Sequence, residues 1–270
     1  MDFTAIFGWV LGAVVIVFGI IFTQDASTGA AAIDGGLVHA FLNAPALVIV
    51  LGGTCAALLA AYPTKTFKMI PHHLKIVFFP GGYKPADYIA LIVEFAKYAR
   101  VNGILSLEEE AKTVRDKFFR SAIMMVVDAV EPDKVRVMLE TELENLETRH
   151  RSAAQIYLRG AEYAVAFGLI GTLVGLVKLL TGLDSMETLA PDMGMCLVSM
   201  LYGVLLANLV FRPVANKLRI RHDEEFLCKI IVKTGVLSVQ DGDNPQFIED
   251  KLKKLLPDKQ QYLTDEDDGE

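Results

Sequence analysis

The stretch AEYAVAFGLIGTLVGLVKLL, Ala161 to Leu180, decides the fold. Apart from Glu162 in its first turn and Lys178 near its end it carries no charge. About 20 such residues in a helix cover the roughly 30 Å hydrocarbon core of a bilayer. Three more runs of this kind occupy residues 6–22, 45–61 and 192–211. Four transmembrane helices are therefore expected. Small residues recur along them at helix-contact spacing: Gly171 and Gly175 form a GxxxG that Ala164 and Gly168 extend, and Gly53, Ala57 and Ala61 form a second stripe.

The segments between the runs differ in positive charge. Of the 26 Lys and Arg, 15 lie in residues 62–160, 10 follow Phe211, and the last is Lys178. Lys and Arg resist translocation, so the basic segments belong in the cytoplasm and the loops 23–43 and 181–191 outside, with both termini inside. The expected organisation is 1–62 for the first two spans and their external loop, 63–159 for a cytoplasmic domain, 160–211 for the last two spans, and 212–270 for a cytoplasmic tail. The fold class is an all-α membrane protein with a large helical cytoplasmic domain between the second and third spans. The first run has no basic flank before it and no small-residue cleavage site after it, and reads as a retained helix.

Composition excludes several functions. A net charge of −7 argues against a nucleic-acid surface, which needs excess cation. Cys55 and Cys196 fall within spans and Cys228 in the tail, without C-x-x-C spacing, so neither a disulfide framework nor a zinc site is expected. His72-His73 beside Pro71 is the one histidine pair; adjacent residues point to different sides of most backbones, which disfavours a shared metal. No nucleophile elbow, P-loop or HExxH is present, and neither an enzyme nor a cofactor is expected.

Within 85–159 the pattern reads as three helices. Ile89, Ile92, Val93, Ala96 and Ala99 repeat at helical spacing, and Asn102-Gly103 supplies a left-handed end. Ser106-Leu-Glu-Glu109 has the form of a capping box for the next helix. A third starts at Glu131-Pro132, with Val135, Met138, Leu139, Leu143 and Leu146 on one face and Glu140, Glu142, Glu144 and Glu147 on the other. It has no stop before the third span, so one long helix is expected to run through both. Beyond the fourth span, Asn244-Pro245 reads as a cap with a first-turn proline, Phe247 to Leu256 as a short amphipathic helix, and 265–270 as an acidic end.

Intramembrane carboxylates mark ion pathways, yet the only acids near the spans are Glu162 and Asp192, each in a first turn. Any titrating group for ion transfer must come from another chain. The hydroxyls that could line a path are Thr54, Thr172, Ser199 and Tyr202; the first three can equally bond their own helix at i−4.

Six segments in order resemble the A subunit of the bacterial flagellar stator (the MotA/PomA family). They are residues 45–54, Ala99-Arg-Val-Asn-Gly103 through Glu108, Met125–Asp128 with Arg136–Glu140, Glu147-Thr-Arg-His150, Gly168-Leu-Ile-Gly-Thr-Leu-Val-Gly175, and Tyr202-Gly203 through Pro213. The resemblance covers nearly the whole chain. It implies a homopentamer around a B-type subunit whose helix supplies the ion-carrying aspartate, torque on a rotor switch-complex protein, and contact with lipid of the inner membrane. By the same resemblance Arg100 and Glu108, eight residues apart, face the rotor, and Pro213 couples ion flow to movement. The local alternatives are dipole complementation at helix ends for Arg100 and Glu108, and for Arg212-Pro213 a helix stop with a snorkelling arginine.

Two positions depart from the family pattern. Where the family reads Ala-Pro-Ala-Phe-Gly, this chain has Val165 in the proline's place, which predicts a straighter third span. Where sodium-driven members carry a threonine pair, this chain has Ser199-Met200. Thr172 and Ser199 keep two hydroxyl oxygens suited to Na⁺, whereas Met200 offers a soft thioether. On this basis the transported ion is expected to be Na⁺ rather than H⁺. A TolQ/ExbB-type energiser, which usually has three spans, and a non-energised membrane scaffold are the alternatives.

Overall fold

The computed structural model describes residues 3–24, 31–33, 37–79, 81–182 and 186–257. Four helices are long and apolar enough to cross a membrane: Phe3–Ile21, Ala44–Ala61, Pro132–Thr181 and Pro191–Gln240. The chain folds as two compact units, Met1–Pro80 with Arg151–Arg219 (the span unit) and Gly81–His150 with Ile220–Glu270 (the helical unit). Helix Pro132–Thr181, 50 residues without a break, contributes to both. The expected long helix forms, and with Val165 in place of proline its backbone bonds continue through the third span.

In the span unit the second span begins where the Asn43 side chain accepts the Ala46 N–H at 3.0 Å and Pro45 occupies the first turn. Helix Ile70–Phe78 follows and buries His73 and Val77; Val77 packs with Tyr157, Val214, Ala215 and Leu218. The loop between the first two spans adds an antiparallel ribbon to the otherwise all-α fold: Phe22 pairs with Ile33 and Gln24 with Ala31. Arg212-Pro213 does not stop the fourth helix, which runs on as Arg212–Gln240 after a π-helical turn at Leu206–Phe211. A proline lacks an N–H and crowds the carbonyl four residues back; the wider turn absorbs both defects. Asn208 adds a side-chain bond to the Val204 carbonyl at 2.9 Å and accepts from Arg212 at 2.7 Å.

The helical unit has one core, with Ile92, Phe119, Ile123, Leu139, Ile231 and Ile248 among its buried members. Residues 220–257, expected as a tail, supply a full wall of it. Gly235 gives Ile92 its space there, since a Cβ would meet the Ile92 side chain at 2.6 Å and displace it. The acidic end 265–270 lies outside the described residues. The short amphipathic helix forms over Pro245–Lys253, capped as expected by Asn244, which accepts the Gln246 N–H at 3.1 Å, and ends three residues before Leu256.

Segment 85–127 holds three helices rather than two: Pro85–Asn102, Leu107–Thr113 and Lys117–Val127. The capping box does not form. Gly103 has φ 86 and ψ 158, a conformation open essentially to glycine, and Ile104–Ser106 continues as a 3₁₀ turn. Ser106 Oγ consequently donates back to the Gly103 carbonyl at 2.6 Å, and Glu109 pairs with Lys112 at 2.8 Å.

The cap that matters is Asp116. Its Oδ1 accepts the Phe118 and Phe119 N–H groups at 2.8 and 3.4 Å, and its Oδ2 accepts the Tyr88 hydroxyl at 2.8 Å. Lys229, almost enclosed, lies 3.9 Å from Asp116, 3.5 Å from Glu225 and over the Phe118 ring. Burial first, then these carboxylates, raises the Tyr83 and Tyr88 hydroxyls above the ordinary tyrosine range. The Cys228 thiol, buried beside them, is pushed up to about 12, which makes it inert.

Asp116→Ala should remove this cap and cost about 2 kcal/mol, a factor of about 30 in amide-exchange protection of helix Lys117–Val127. Asp116→Asn keeps an acceptor oxygen and should lose much less. Equal protection in wild type and Asp116→Ala would refute the role given to this cap.

Candidate functional site

The third and fourth spans meet through their small residues. A Cβ on Gly203 would lie 2.5 Å from the Ala164 carbonyl oxygen and 3.0 Å from Gly168 Cα; one on Gly168 would lie 3.1 Å from Gly203 Cα. These are backbone atoms with no freedom to move aside. Further along, Gly171 faces the Ser199 side chain and Gly175 faces Cys196. The stripe read from the sequence is this contact. Gly53 of the second span is filled by the Phe167 ring.

Two of the expected ion-path residues lie at the crossing. Thr172, half-buried, donates one proton shared between the Gly168 carbonyl of its own helix at 3.1 Å and the Cys196 carbonyl of the fourth span at 2.9 Å. Its oxygen lone pairs are not used by these bonds. Ser199 is 0% exposed and donates to the Met195 carbonyl at 2.6 Å. Met200 is 37% exposed, and neighbouring residues on a helix diverge by roughly 100°, so it does not join the other two. Thr54, also buried, bonds Val50 at 2.6 Å in the i−4 manner. The chemistry left open is an oxygen at Thr172 beside two backbone carbonyls, which suits a hard cation.

Tyr202 ties the fourth span to the entrance of the second. Its hydroxyl donates to the Phe41 carbonyl and accepts the Asn43 N–H at 3.2 Å. Val165 is partly buried against Ala161, Ala164 and Ala207. Pro213, half-buried, follows the π turn described above. No carboxylate occurs among the buried polar side chains of the described residues, which are Thr54, His73, Ser199 and Ser238. Glu162 is exposed and bonded to Arg159 at 2.7 Å. Among the described residues no group of three His, Cys, Asp or Glu is placed to hold a metal; His73 instead meets the Tyr157 hydroxyl through Nδ1 at 3.3 Å.

In the helical unit Arg100 sits in the last turn of Pro85–Asn102 and Glu108 in the first turn of Leu107–Thr113. Glu108 is exposed and 3.4 Å from Lys112. Between the two charges Val101 and Leu105 are 83% and 75% exposed. The sequence reading missed both, because period alone assigns apolar residues to the core. It also missed Asp116, whose partner Tyr88 lies 28 residues away.

Fold and site together define a multi-pass helical membrane protein whose spans join at glycine crossings. The model of the MotA/TolQ/ExbB proton channel family matches residues 110–229. Over 259 residues the chain is 36% identical to Motility protein A of Borreliella burgdorferi, covering 96% of this chain and 95% of that one. It is 34% identical over 229 residues to chemotaxis protein PomA of Vibrio alginolyticus, covering 85% and 90%. The solved structure of the flagellar MotAB stator complex from Bacillus subtilis superposes with a TM-score of 0.84 at 29% identity, over 97% of this chain and 99% of that one. The chain belongs to the MotA/TolQ/ExbB family, among its motility protein A members, and is a flagellar stator subunit.

Gly203→Ala should force the third and fourth spans apart, break the Thr172 bond to Cys196 and cost about 1–3 kcal/mol. Thermal unfolding in detergent reads the loss. Gly194→Ala, with nothing within 4 Å of the added carbon, is the control and should be close to neutral. Equal melting of the two variants would contradict the crossing.

Proposed function

We propose that this chain, as a homopentamer around a B-type subunit, conducts Na⁺ through the cytoplasmic membrane and applies the resulting torque to a rotor switch-complex protein. The near full-length similarity to motility protein A carries the reading. The lack of a buried carboxylate among the described residues supports a partner that brings the ion-carrying aspartate. The Lys and Arg distribution supports a cytoplasmic location for both termini and the helical unit. Four candidate spans fit this arrangement better than the three of a TolQ/ExbB-type energiser.

Thr172 lines the ion path. Its oxygen is the one accessible of the two hydroxyls, whereas Ser199 is sealed and acts in packing. Val165 and Pro213 set how the two spans respond to the ion: Val165 keeps its helix unbroken, and the π turn before Pro213 gives the fourth span a place to flex. The rotor meets the rim of Arg100 and Glu108, with Val101 and Leu105 supplying apolar contact between the charges.

The test is swimming speed in a strain whose only stator is this chain with its cognate B subunit, as external sodium varies at fixed pH and ionic strength. Speed should rise with sodium. Thr172→Val should raise the half-saturating sodium about tenfold, equivalent to ~1.4 kcal/mol of binding, and Ser199→Ala should leave it unchanged. Speed independent of sodium would assign the flow to protons. Absence of swimming at every sodium level, with the complex assembled, would overturn the torque role. Arg100→Glu should slow swimming, and a reciprocal reversal on the rotor should restore it.

A further inference from the structure

His150 and His222, 72 residues apart in sequence, bring Nδ1 to 3.0 Å from Nδ1 across helices Pro132–Thr181 and Arg212–Gln240 of the helical unit. The rings are nearly perpendicular, with centroids 5.1 Å apart, and Phe226 stands 5.3 Å from His222. Both side chains are half-buried. They precede and follow the apolar runs 161–180 and 192–211 and lie outside them.

Two like nitrogens at hydrogen-bonding distance need one proton between them. One ring donates Nδ1–H and the other accepts at a bare Nδ1. The neutral pair satisfies this when its rings adopt opposite tautomers, and so does the pair carrying one extra proton. A second extra proton turns the accepting nitrogen into a donor. Two N–H groups then point at each other and two imidazolium charges share one enclosed space.

The surroundings discourage that second proton. Burial lowers the His150 pKa most; Glu225 opposes this, while His222, Arg149 and Lys229 lower it further. Glu225 is itself 3.5 Å from Lys229, which also approaches Asp116, and its charge is near enough to the Tyr83 hydroxyl, in the segment before Pro85, to raise that group's pKa. Arg221, next to His222, is paired with Glu224 at 2.8 Å. No carboxylate is thus left over to neutralise a doubly charged pair among these groups.

We propose that His150 and His222 form a proton-operated clasp between the two long helices, closed while the pair is neutral or singly charged and open when both rings are charged. The sign follows from linkage. A histidine whose folded pKa lies below its ordinary value of about 6.5 contributes stability above that value and loses it as pH falls through the folded pKa. Acid therefore loosens the helices at the positions nearest in sequence to the third and fourth spans. The clasp is a property of this helix pair and does not depend on the torque role.

Amide exchange read by mass spectrometry on the full-length protein in lipid nanodiscs tests it. After correction for the intrinsic pH dependence of exchange, protection in peptides covering His150 and His222 should fall about tenfold between about pH 7.5 and about pH 5.5. The double variant His150→Gln/His222→Gln, whose neutral amides can keep the bond, should show no such fall. Histidine-resolved ¹⁵N NMR should place the His150 titration below the ordinary range in wild type and move it upward in His222→Gln. Unchanged protection in wild type, the same acid loss in the double variant, or a His150 titration indifferent to His222→Gln would each overturn the clasp.

Discussion

Two helix backbones touch at Gly168 and Gly203, and the packing of the third span on the fourth follows from that contact. A Cβ on Gly203 would lie 2.5 Å from a carbonyl oxygen, so no larger residue fits. In lipid, apolar side chains gain little by leaving the tails for one another, so close van der Waals contact and interhelical hydrogen bonds must hold the helices together. The crossing provides both. It lets the Thr172 hydroxyl reach the Cys196 carbonyl, presses Ser199 into the space over Gly171, and seats Cys196 over Gly175. A wider separation would leave Thr172 with only its own helix to bond.

The sequence displayed what depends on local composition. Four apolar runs, the glycine stripe and the uninterrupted helix from Pro132 were legible because each is written in consecutive residues or at one period. What escaped depends on partners far away in the chain. Residues 220–257 read as a tail since their apolar side chains, Ile231, Val232 and Val236 among them, stand in a strongly charged stretch, and nothing local says that Ile92 awaits Gly235. The capping box failed for a local reason that pattern cannot carry: Gly103 leaves its helix with an extended ψ, Ser106 takes a helical backbone conformation, and its hydroxyl donates to the Gly103 carbonyl instead of capping an N–H. At the site, residue type singled out Thr172 and Ser199 alike, and only burial separates a sealed hydroxyl from an accessible one.

Backbone irregularity in the spans is distributed in an informative way. The third span, where Val165 stands, is regular throughout. The second and fourth spans each carry a π-helical turn, at Val48–Gly52 and Leu206–Phe211. Such a turn widens the helix and leaves carbonyls with longer or alternative bonds, as the Asn208 contact to Val204 shows. The unbroken helix carries the glycine stripe, and the second and fourth spans contain the turns that can alter their bonding.

This division bears on how an ion could act on the bundle. The Thr172 proton is shared between one carbonyl on each side of the crossing, so the hydroxyl is both a fastener and an oxygen ligand. A cation drawn to its lone pairs would polarise the O–H group and strengthen its donation to both carbonyls. Cation binding and tightening of the crossing are then one event. A carboxylate arriving from a partner would instead compete with those carbonyls for the same proton. Ser199 is shut in and bonded to its own helix, so of the two hydroxyls only Thr172 both bonds across the crossing and keeps an accessible oxygen.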